Sequence, residues 1–531
     1  MVAANTTSPM FGPNYQVVWF KRDLRVQDHA ALAGAVAVGP VVPIYIVEPG
    51  LWAQPDMSLR HYQFLRGCIL SLNRALETLG LRLVVRVGEA ENVLAELHKR
   101  FPFTALWSHQ ETWNHWSLMR NQRVNQWCNS QQIVWREPPQ NAVVRGAGNG
   151  EAWARHWQRF MNTVTLPVPE RDQIQPLPPE VSSMQSAPLP SPLALGLALG
   201  DPCQLQPSGR YAGIEMLNDF LNYRGQFYLA HLPSPLSAQA TCSRLSVYLA
   251  FGVMSIREVV QQVKQRLSLV RQNETLLFED RQAWIKSLRA HLHRLRWHCQ
   301  FIQRLDDTPA LELGNLHRGY NDLRLAPGDL ADERLQAWQS GTTGYPLIDA
   351  SMRALQSTGW INFKMRALLI GFASHHLWLS WRQPASHLAR LFTDYEPGIH
   401  YNQIQMHAGT TGTNALRIQN PLALSEQLDP EGIFIRKWVP ELSQLPLQYI
   451  HRPWLCTTLA PDYPSPVVTE SRARKYAYTQ LKLVRETPEY STEKARVLAE
   501  HNRFGLRKFD TKSGPSAPGD LEDPTQLELP F

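Results

Sequence analysis

The 531-residue sequence predicts a two-part protein, an N-terminal α/β domain with a doubly wound parallel sheet joined by a long linker to a C-terminal all-α domain. Three observations support this prediction. Short β-rich runs alternate with helical runs from Tyr15 to about Trp135. Residues 164–210 then hold ten of the 39 prolines with no sustained periodicity, which is typical of a surface linker. Beyond this segment the apolar residues repeat with helical spacing almost to the end of the chain.

The N-terminal part contains five β-rich runs. We predict strands at Val17–Phe20, Val41–Val47, Leu81–Val87, Ala105–Trp107 and Ile133–Trp135. The helical runs between them include Arg60–Leu79 and Ala90–Lys99. Parallel sheets covered on both faces bind ligands beyond the carboxyl ends of their strands, where the strand order switches. The sequence has no GxGxxG and no Walker loop, so no motif indicates NAD or ATP.

One helical segment of the C-terminal part has two distinct faces. Leu288, Leu292, Leu295, Cys299 and Ile302 recur at intervals of three and four residues and form an apolar stripe. Another face is polar and aromatic and carries Arg294, Trp297, His298 and Phe301. Because a core helix has little other use for such a face, we predict that it lines a cavity.

Composition excludes several classes of protein. The chain is 44% apolar and 19% charged, which excludes a mainly disordered protein. Its six cysteines are scattered and no two form a CxxC, so a zinc ribbon, a cysteine-ligated iron–sulfur cluster and a disulfide scaffold are not indicated. We therefore predict no metal site and a reducing, cytoplasmic compartment. The N-terminal residues lack the pattern of a signal peptide, and no segment is apolar enough to span a membrane.

The charge distribution separates the C-terminal tail from the rest. The formal net charge is +7, and residues 510–531 contain five acidic residues and one lysine, a net charge of −4. The remaining chain therefore carries +11, which is compatible with a polyanionic partner. We predict an α/β domain at 14–145, a Pro-rich linker at 146–207, a helical domain at 208–508 and a disordered acidic tail at 509–531.

Four motifs occur in a characteristic order along the chain. Lys21-Arg22-Asp23-Leu24-Arg25 follows the first strand, and Cys242-Ser243-Arg244-Leu245-Ser246 precedes a helical run. Gly341–Arg353 and Gly409–Leu442 contain the other two. Together they span about Tyr15 to Tyr449 and resemble the photolyase/cryptochrome family. This resemblance implies an antenna domain, a linker and a helical domain that holds FAD.

The segment Cys242–Ser246 is the candidate pyrophosphate site. A helix N-terminus offers unpaired N–H groups and the positive end of a dipole. Ser243 and Ser246 add hydroxyl groups, Arg244 adds charge, and Leu245 lies between them. The family usually has Thr where this chain has Cys242, which loses a strong donor. The simpler interpretation is that Ser243 only caps the helix. The resemblance also assigns Tyr228, which precedes this loop, to cofactor binding.

The resemblance places a second group of residues beside the flavin ring. Arg366 and Asp394 match the family's ion pair, and a fixed guanidinium there stabilises negative charge on the reduced ring. The alternative is a purely structural Arg–Asp link. Tyr395 and Glu396 complete the match to the family's Asp-x-Asp segment. His400 stands where photolyases carry Asn and plant cryptochromes Asp. It could donate a proton near neutral pH, or it could simply pack.

Other positions depart from the family pattern. The residues that correspond to the lesion pocket of pyrimidine-dimer photolyases are Trp297, Met406, Arg294, Phe363 and Ala367. Only one Trp remains, the family's Glu is replaced by Arg294 and its Asn by Phe363. Arg294, Trp297, His298 and Phe363 are also predicted to contact the cofactor. These departures place repair of cyclobutane dimers in doubt.

The family's electron-relay tryptophans are only partly present. Trp381 matches the middle member of the triad, whereas the inner and outer members fall on Ile404 and about Gly328. Trp378, Tyr395 or Tyr401 are alternatives, although most Trp residues of helical proteins are simply core. Trp381, Trp297 and His400 are therefore the candidate catalytic residues.

Three hypotheses for function follow. The first is a cryptochrome-like blue-light photoreceptor that works by light-driven electron transfer to FAD. The second is a DNA photolyase that repairs pyrimidine lesions with reduced FAD, so enzyme activity stays open. The third is a flavin-bearing scaffold without photochemistry. We favour the first because of the altered lesion pocket, and we expect DNA, non-specific or lesion-containing, as a partner.

The sequence suggests one protein partner and leaves room for a second chromophore. Gln526-Leu527-Glu528-Leu529-Pro530-Phe531 resembles the peptide by which bacterial repair and replication proteins bind the sliding clamp, with Gln526, Leu527, Leu529 and Phe531 as anchors. Six residues also occur by chance. A second, antenna chromophore is compatible with the N-terminal domain, and the sequence does not identify it.

Overall fold

The computed structural model describes residues 15–146, 150–198, 203–325 and 327–502. The tail that contains the candidate clamp peptide lies outside these residues. The secondary structure of the N-terminal part runs β1 Gln16–Phe20, α1 Ala30–Val38, β2 Val41–Val47, α2 Pro49–Trp52, α3 Leu59–Thr78, β3 Val84–Val87, α4 Ala90–Arg100, β4 Ala105–Trp107, α5 His115–Ser130 and β5 Val134–Arg136.

The five strands form one parallel sheet in the order β3-β2-β1-β4-β5. The order reverses between β1 and β4, which pair in register from Gln16 with Ala105 to Val18 with Trp107. Helices cover both faces, and the side chains of β1 and β2 are buried throughout. The predicted doubly wound α/β domain is confirmed, with each strand within a few residues of its predicted bounds.

The segment 146–207 is more ordered than the prediction of a Pro-rich linker implies. It contains α6 Gly150–Asn162 and α7 Pro179–Ser182. On α6, Trp153 and Met161 are buried, and the helix packs against the helical domain. The later residues run along the sheet, where the amide N–H of Ala187 donates to the carbonyl oxygen of Val85 at 3.0 Å. The segment thus binds to both domains.

The helical domain contains α8 Arg210–Asn222, α9 Tyr228–His231, α10 Ala238–Thr241, α11 Ser246–Ala250, α12 Ile256–Gln272, α13 Phe278–Asp307, α14 Asp329–Ser340, α15 Pro346–Thr358, α16 Phe363–Gly371, α17 Arg382–Leu391, α18 Pro397–Ala408, α19 Pro421–Leu428, α20 Ile433–Trp438, α21 Glu470–Arg485 and α22 Pro488–Asn502. A π-helical turn, Phe372–His376, follows α16. Short 3₁₀ turns lie at Arg171–Gln173, Leu193–Leu195, Arg224–Phe227, Pro309–Leu311, Arg318–Tyr320, Pro440–Leu442, Leu447–Tyr449, Pro453–Leu455 and Thr457–Leu459. Within the described residues, no helix combines the length and the apolar character that crossing a membrane requires.

The motif after β1 joins the two domains. Arg22 donates from Nε to the carbonyl oxygen of Ala250 at 3.0 Å, and Arg25 donates to that of Gly252 at 2.9 Å. Asp28 accepts from Arg257 and from Ser255 of the helical domain. Arg22, Arg25 and Asp28 therefore help to hold the two domains together, whereas Lys21 and Asp23 bind partners within the α/β domain.

Candidate functional site

A cavity of about 270 Å³ lies in the helical domain between α13, α16, α18 and the loop before α11. Fifteen of the sixteen predicted site residues line it, namely Tyr228, Cys242, Ser243, Arg244, Leu245, Ser246, Arg294, Trp297, His298, Phe363, Arg366, Asp394, Tyr395, Glu396 and His400. Trp381 does not line it. We call this space the main cavity.

The predicted ion pair is present in its wall. Arg366 Nη2 lies 2.9 Å from Asp394 Oδ2, and its guanidinium carbon lies 4.1 Å from the centre of the Phe392 ring. Burial alone would raise the pKa of Asp394, but the Arg366 charge and the Ser246 hydroxyl hold this pKa below its usual value. The pair therefore stays charged at neutral pH, with a cation fixed at the cavity.

The loop Cys242–Ser246 is held in one conformation by its neighbours. Arg244 has a left-handed backbone with φ +57°, and its Nη2 lies 2.9 Å from Gln206 Oε1. Its guanidinium stacks at 4.1 Å on the ring of Trp360. Arg224 binds the carbonyl oxygens of Cys242 and Ser243 from behind the loop. The helix that follows, α11, has only five residues, so its dipole is small. Arg224 is paired with Asp219 and does not line the cavity, so Arg244 is the main source of positive charge at this loop.

The predicted polar-aromatic face of α13 does line the main cavity. The Arg294 guanidinium lies 4.9 Å from the Trp297 ring and 4.9 Å from the Phe363 ring. On the same helix Leu288, Leu295, Cys299 and Ile302 are buried, as the apolar stripe predicted. One face of this helix thus packs in the core, and the other lines the main cavity.

Unpartnered polar atoms in the wall indicate what the main cavity can hold. Asp394 Oδ1, Glu396 Oε1, Gln403 Oε1, His298 Nδ1 and His407 Nε2 are buried without a hydrogen-bond partner. Buried polar groups are normally paired, so a set of them around one space fits a ligand with a polar edge and flat apolar faces. A flavin ring has this character, and Arg244 in the loop Cys242–Ser246 fits a pyrophosphate.

One part of the expectation for His400 is corrected. Its Nε2 lies 2.9 Å from the carbonyl oxygen of Ala385, which requires a proton on Nε2 and leaves Nδ1 as an acceptor. Burial lowers the pKa of His400 to about 4. The ring is therefore neutral across the physiological range, and it does not change charge near neutral pH as the sequence suggested.

In the structure Trp381 lies outside the main cavity, separated from its wall by the side chain of Tyr401. Its ring centre lies 6.2 Å from that of Tyr401, and its Nε1 donates to Asn315. Tyr401 in turn contacts His400 at 5.2 Å, and its hydroxyl lies 3.5 Å from that of Tyr395 in the cavity wall. Tyr395 and Tyr401 thus bridge the distance between the cavity and Trp381.

Besides His291 and Asn362, sequence reasoning missed two further polar residues of the wall, Gln403 and His407. Both belong to α18, and they follow Glu396 and His400 at spacings of three to four residues. This helical periodicity was available in the sequence. It would have extended the site from His400 to Gln403 and His407.

A separate cluster in the α/β domain has the residue types of a metal site. Asp23, His29 and His109 place ligand atoms within 4.8 Å of one another. However, His29 Nδ1 accepts from the N–H of Leu32, and His109 Nε2 accepts from that of Ala30. The single proton of each neutral ring must then sit on the nitrogen that faces Asp23, at 3.0 and 2.7 Å. The cluster is therefore a hydrogen-bonded structural network.

Family models match both parts of the chain. The model described as DNA photolyase matches residues 16–150, and the model described as the FAD binding domain of DNA photolyase matches residues 291–483. The chain belongs to the photolyase/cryptochrome family. The predicted fold and family are confirmed, and the helical domain that contains the main cavity binds FAD.

The relatives of this chain include proteins named photo-lyase and a protein named cryptochrome. The chain is 28% identical over 484 residues to a deoxyribodipyrimidine photo-lyase of Streptomyces griseus, which covers 86% of this chain and 97% of that protein. It is 27% identical over 499 residues to cryptochrome-1 of Arabidopsis thaliana, which covers 86% and 69%.

Solved structures share the fold. A cryptochrome of Synechocystis sp. matches with a TM-score of 0.75 and 22% identity over 88% of this chain and 99% of that one. A photolyase of Sulfolobus tokodaii, described with two FAD molecules and a novel light-harvesting cofactor, matches with a TM-score of 0.68 and 24% identity over 88% and 99%.

Proposed function

We propose that this family member is a cryptochrome-like blue-light photoreceptor. One observation carries this choice: Arg294 lies against the rings of both Trp297 and Phe363 in the main cavity wall. The aromatic faces that would stack on a flipped pyrimidine are covered by the protein's own cation. Bound FAD supplies the light absorption and the redox chemistry, and the surrounding residues position it and set the charge around it.

The aromatic contacts support a route for light-driven electron transfer. Tyr395 in the cavity wall, Tyr401 and Trp381 form a chain with successive contacts of 3.5 Å between hydroxyls and 6.2 Å between ring centres. Trp381 is the donor at the outer end, next to exposed Arg382. We expect Tyr401→Phe to slow flavin photoreduction several-fold and Trp381→Phe to slow it more. Phe372→Leu, whose wild-type ring lies outside this chain, serves as the control.

DNA repair is the second candidate function. The relatives named photo-lyase and the net charge of +7 favour it. The deciding test is a blue-light assay on UV-irradiated oligonucleotides with protein that contains fully reduced flavin. Restoration of pyrimidines would contradict the photoreceptor proposal. Absence of repair, together with a light-dependent change in partner affinity, is the expected result.

DNA is also a proposed partner in the absence of repair. Binding through phosphate contacts loses affinity as salt rises, with a slope that reports the number of contacts. We expect weak binding to single-stranded DNA whose affinity falls steeply between low and physiological salt. Affinity that does not change with salt would contradict this partner.

The space for a second chromophore in the α/β domain is small. The carboxyl ends of β1 and β2 enclose only about 30 Å³, room for about one water. Lys21, Glu48, Glu111 and Arg120 fill this region with ion pairs. A chromophore there would have to open this network. We therefore propose that FAD is the principal chromophore, and extraction of the purified protein tests this by counting the released pigments.

The clamp interaction rests on sequence alone. We propose that Gln526–Phe531 binds the bacterial sliding clamp. A chain that ends before Gln526 should lose clamp affinity at least tenfold while it retains bound flavin. A variant with the same six residues in scrambled order is the control. Equal affinity of the full-length and shortened chains would contradict the proposal.

A further inference from the structure

The main cavity shares part of its wall with a second, polar cavity. This interdomain cavity encloses about 40 Å³, enough for an ordered water molecule. Its polar lining includes Arg22, Arg25, Gln110, Glu111, Gln140 and Asn141. Leu249, His298 and Glu396 line both cavities. Of these three side chains, only Glu396 carries an acidic group.

The carboxyl group of Glu396 is only partly satisfied by hydrogen bonds within the protein. It stands at the N-cap of α18, yet its side chain makes no capping hydrogen bond there. Oε1 is buried without a partner, while the rest of the side chain stays partly accessible from the cavities. The charge of Arg22 and the backbone N–H of Gly398 both lower the pKa of the carboxyl group.

The other titratable groups around Glu396 keep a fixed charge near neutral pH. Burial lowers the pKa of both His298 and His400 to about 4, so both rings are neutral. Burial raises the pKa of Tyr395 far above its usual value. Asp394 is paired with Arg366.

The charged groups on the α/β side are also fixed. Arg25 donates to the carbonyl oxygens of Gln27, Asp28 and Gly252, and Glu111 is paired with Lys21 and Arg120. Burial raises the pKa of Glu396 to about 7, while Arg22 and the Gly398 N–H lower it and Glu111 raises it. Glu396 is thus the group between the two cavities that can change its charge.

We propose that Glu396 takes up a proton from water in the interdomain cavity when flavin in the main cavity gains an electron. The electron comes from an aromatic side chain under light or from an added reductant. The proton comes from solvent and forms an O–H bond on the carboxylate of Glu396. The gain of one negative charge by the flavin is then balanced by the loss of one on Glu396.

The negative charge that reduction adds to a flavin is large enough to change the protonation of a nearby carboxylate. A unit negative charge about 5 Å from a carboxylate raises that carboxylate's pKa by roughly two in a protein interior. With its pKa raised by burial to about 7, Glu396 is expected to be mostly ionised at pH 8 before reduction, and a shift of this size would leave it mostly protonated afterwards. This role deepens the proposed flavin site, and it applies to either output, signalling or repair.

Chemical reduction of the holoprotein tests the proposal without light. We expect the infrared difference spectrum at pH 8, reduced minus oxidised, to show a new band of a protonated carboxyl that shifts in D₂O. Glu396→Gln should lack this band while its oxidised absorption spectrum still shows bound flavin. Glu312→Gln is the matched control, because Glu312 also has a pKa raised by burial to about 7 but lines neither cavity.

Proton uptake measured with an indicator dye gives a second readout. Uptake on reduction should fall several-fold in Glu396→Gln and stay unchanged in Glu312→Gln. Gln110→Leu, which makes the interdomain cavity less polar, should slow uptake several-fold without changing its extent. Absence of the carboxyl band in the wild type, or its loss in Glu312→Gln alone, would overturn the proposal. Failure to bind flavin would appear earlier, in the oxidised spectrum.

Discussion

At the residue scale, the charge of the main cavity depends on whether each ionisable side chain has a partner. Arg366 is neutralised by Asp394 at 2.9 Å, while Arg244 is stacked on Trp360 and bonded to neutral Gln206. Burial lowers the pKa of Arg244 to about 10, which still leaves it charged at neutral pH. The cavity therefore has a positive end at the loop and a neutralised pair near α18.

The Arg366–Asp394 pair leads to a prediction about redox potential. In Asp394→Asn the side chain keeps its size and loses its charge, so Arg366 stabilises added negative charge more strongly. We expect the one-electron midpoint potential of bound flavin to rise by on the order of 60 mV, equivalent to about 1.4 kcal/mol. Spectroelectrochemistry measures this directly.

The control for this prediction is another ion pair of the same domain. Glu441 lies 2.8 Å from Arg353, and neither residue lines the main cavity. Glu441→Gln should leave the potential unchanged. A potential in Asp394→Asn that is equal to or lower than that of the wild type would show that the pair is only a structural link.

At the element scale, a single helix organises much of the site. α18 presents His400, Gln403 and His407 to the main cavity, and Glu396 stands at its N-cap. Tyr401 on the same helix points toward Trp381. The spacing of three to four residues was visible in the sequence, but the direction of this face became clear only when α13 and α16 packed against it.

The junction between the motif after β1 and the end of α11 supports a prediction about stability. Gly252 has φ +60°, and a Cβ there would lie 2.1 Å from the carbonyl oxygen of Arg22. Because both backbones are held by hydrogen bonds, Gly252→Ala should destabilise the protein by at least about 2 kcal/mol. Urea unfolding followed by flavin fluorescence measures the change.

A second glycine provides the control. Gly371 at the end of α16 has an ordinary helical backbone, and a Cβ added there would have no atom of another element within 4 Å. Gly371→Ala should be neutral or stabilise the protein by up to about 1 kcal/mol. Equal effects of the two substitutions would mean that the domain junction tolerates movement.

At the scale of the whole molecule, buried ionisable groups determine how stability depends on pH. In the described part of the chain, burial lowers the pKa of seven histidines to about 3 or 4, namely His61, His109, His291, His298, His387, His400 and His407. Burial raises the pKa of four acids to about 6 or 7, namely Glu48, Asp307, Glu312 and Glu396.

These shifts predict acid sensitivity. Below pH 6.5 the unfolded chain gains protons on seven histidines that stay neutral in the folded state, which lowers stability as pH falls. The four acids act in the opposite direction until about pH 4.5, because the folded state binds those protons first. We expect the free energy of unfolding to fall slowly from pH 6.5 to 4.5 and steeply below it. Urea midpoints measured at half-unit pH steps check this, and constant stability down to pH 4 would contradict it.

The sequence by itself determined the family, the order of the domains and most of the residues that line the main cavity. These features depend on local patterns: β-rich runs in alternation, a helix with two faces, and charged motifs at fixed positions. Fifteen of sixteen predicted site residues line one cavity, because each motif lies beside the others once the helices pack.

Only the tertiary structure decided which of these residues can change charge. A histidine at position 400 suggested a group that titrates near neutral pH, and its contact with Ala385 and its burial rule this out. Glu396 takes that place because it lies between two cavities with Oε1 unpaired. Protonation depends on desolvation and on charges from distant parts of the chain, such as Arg22, and these are brought together only by folding.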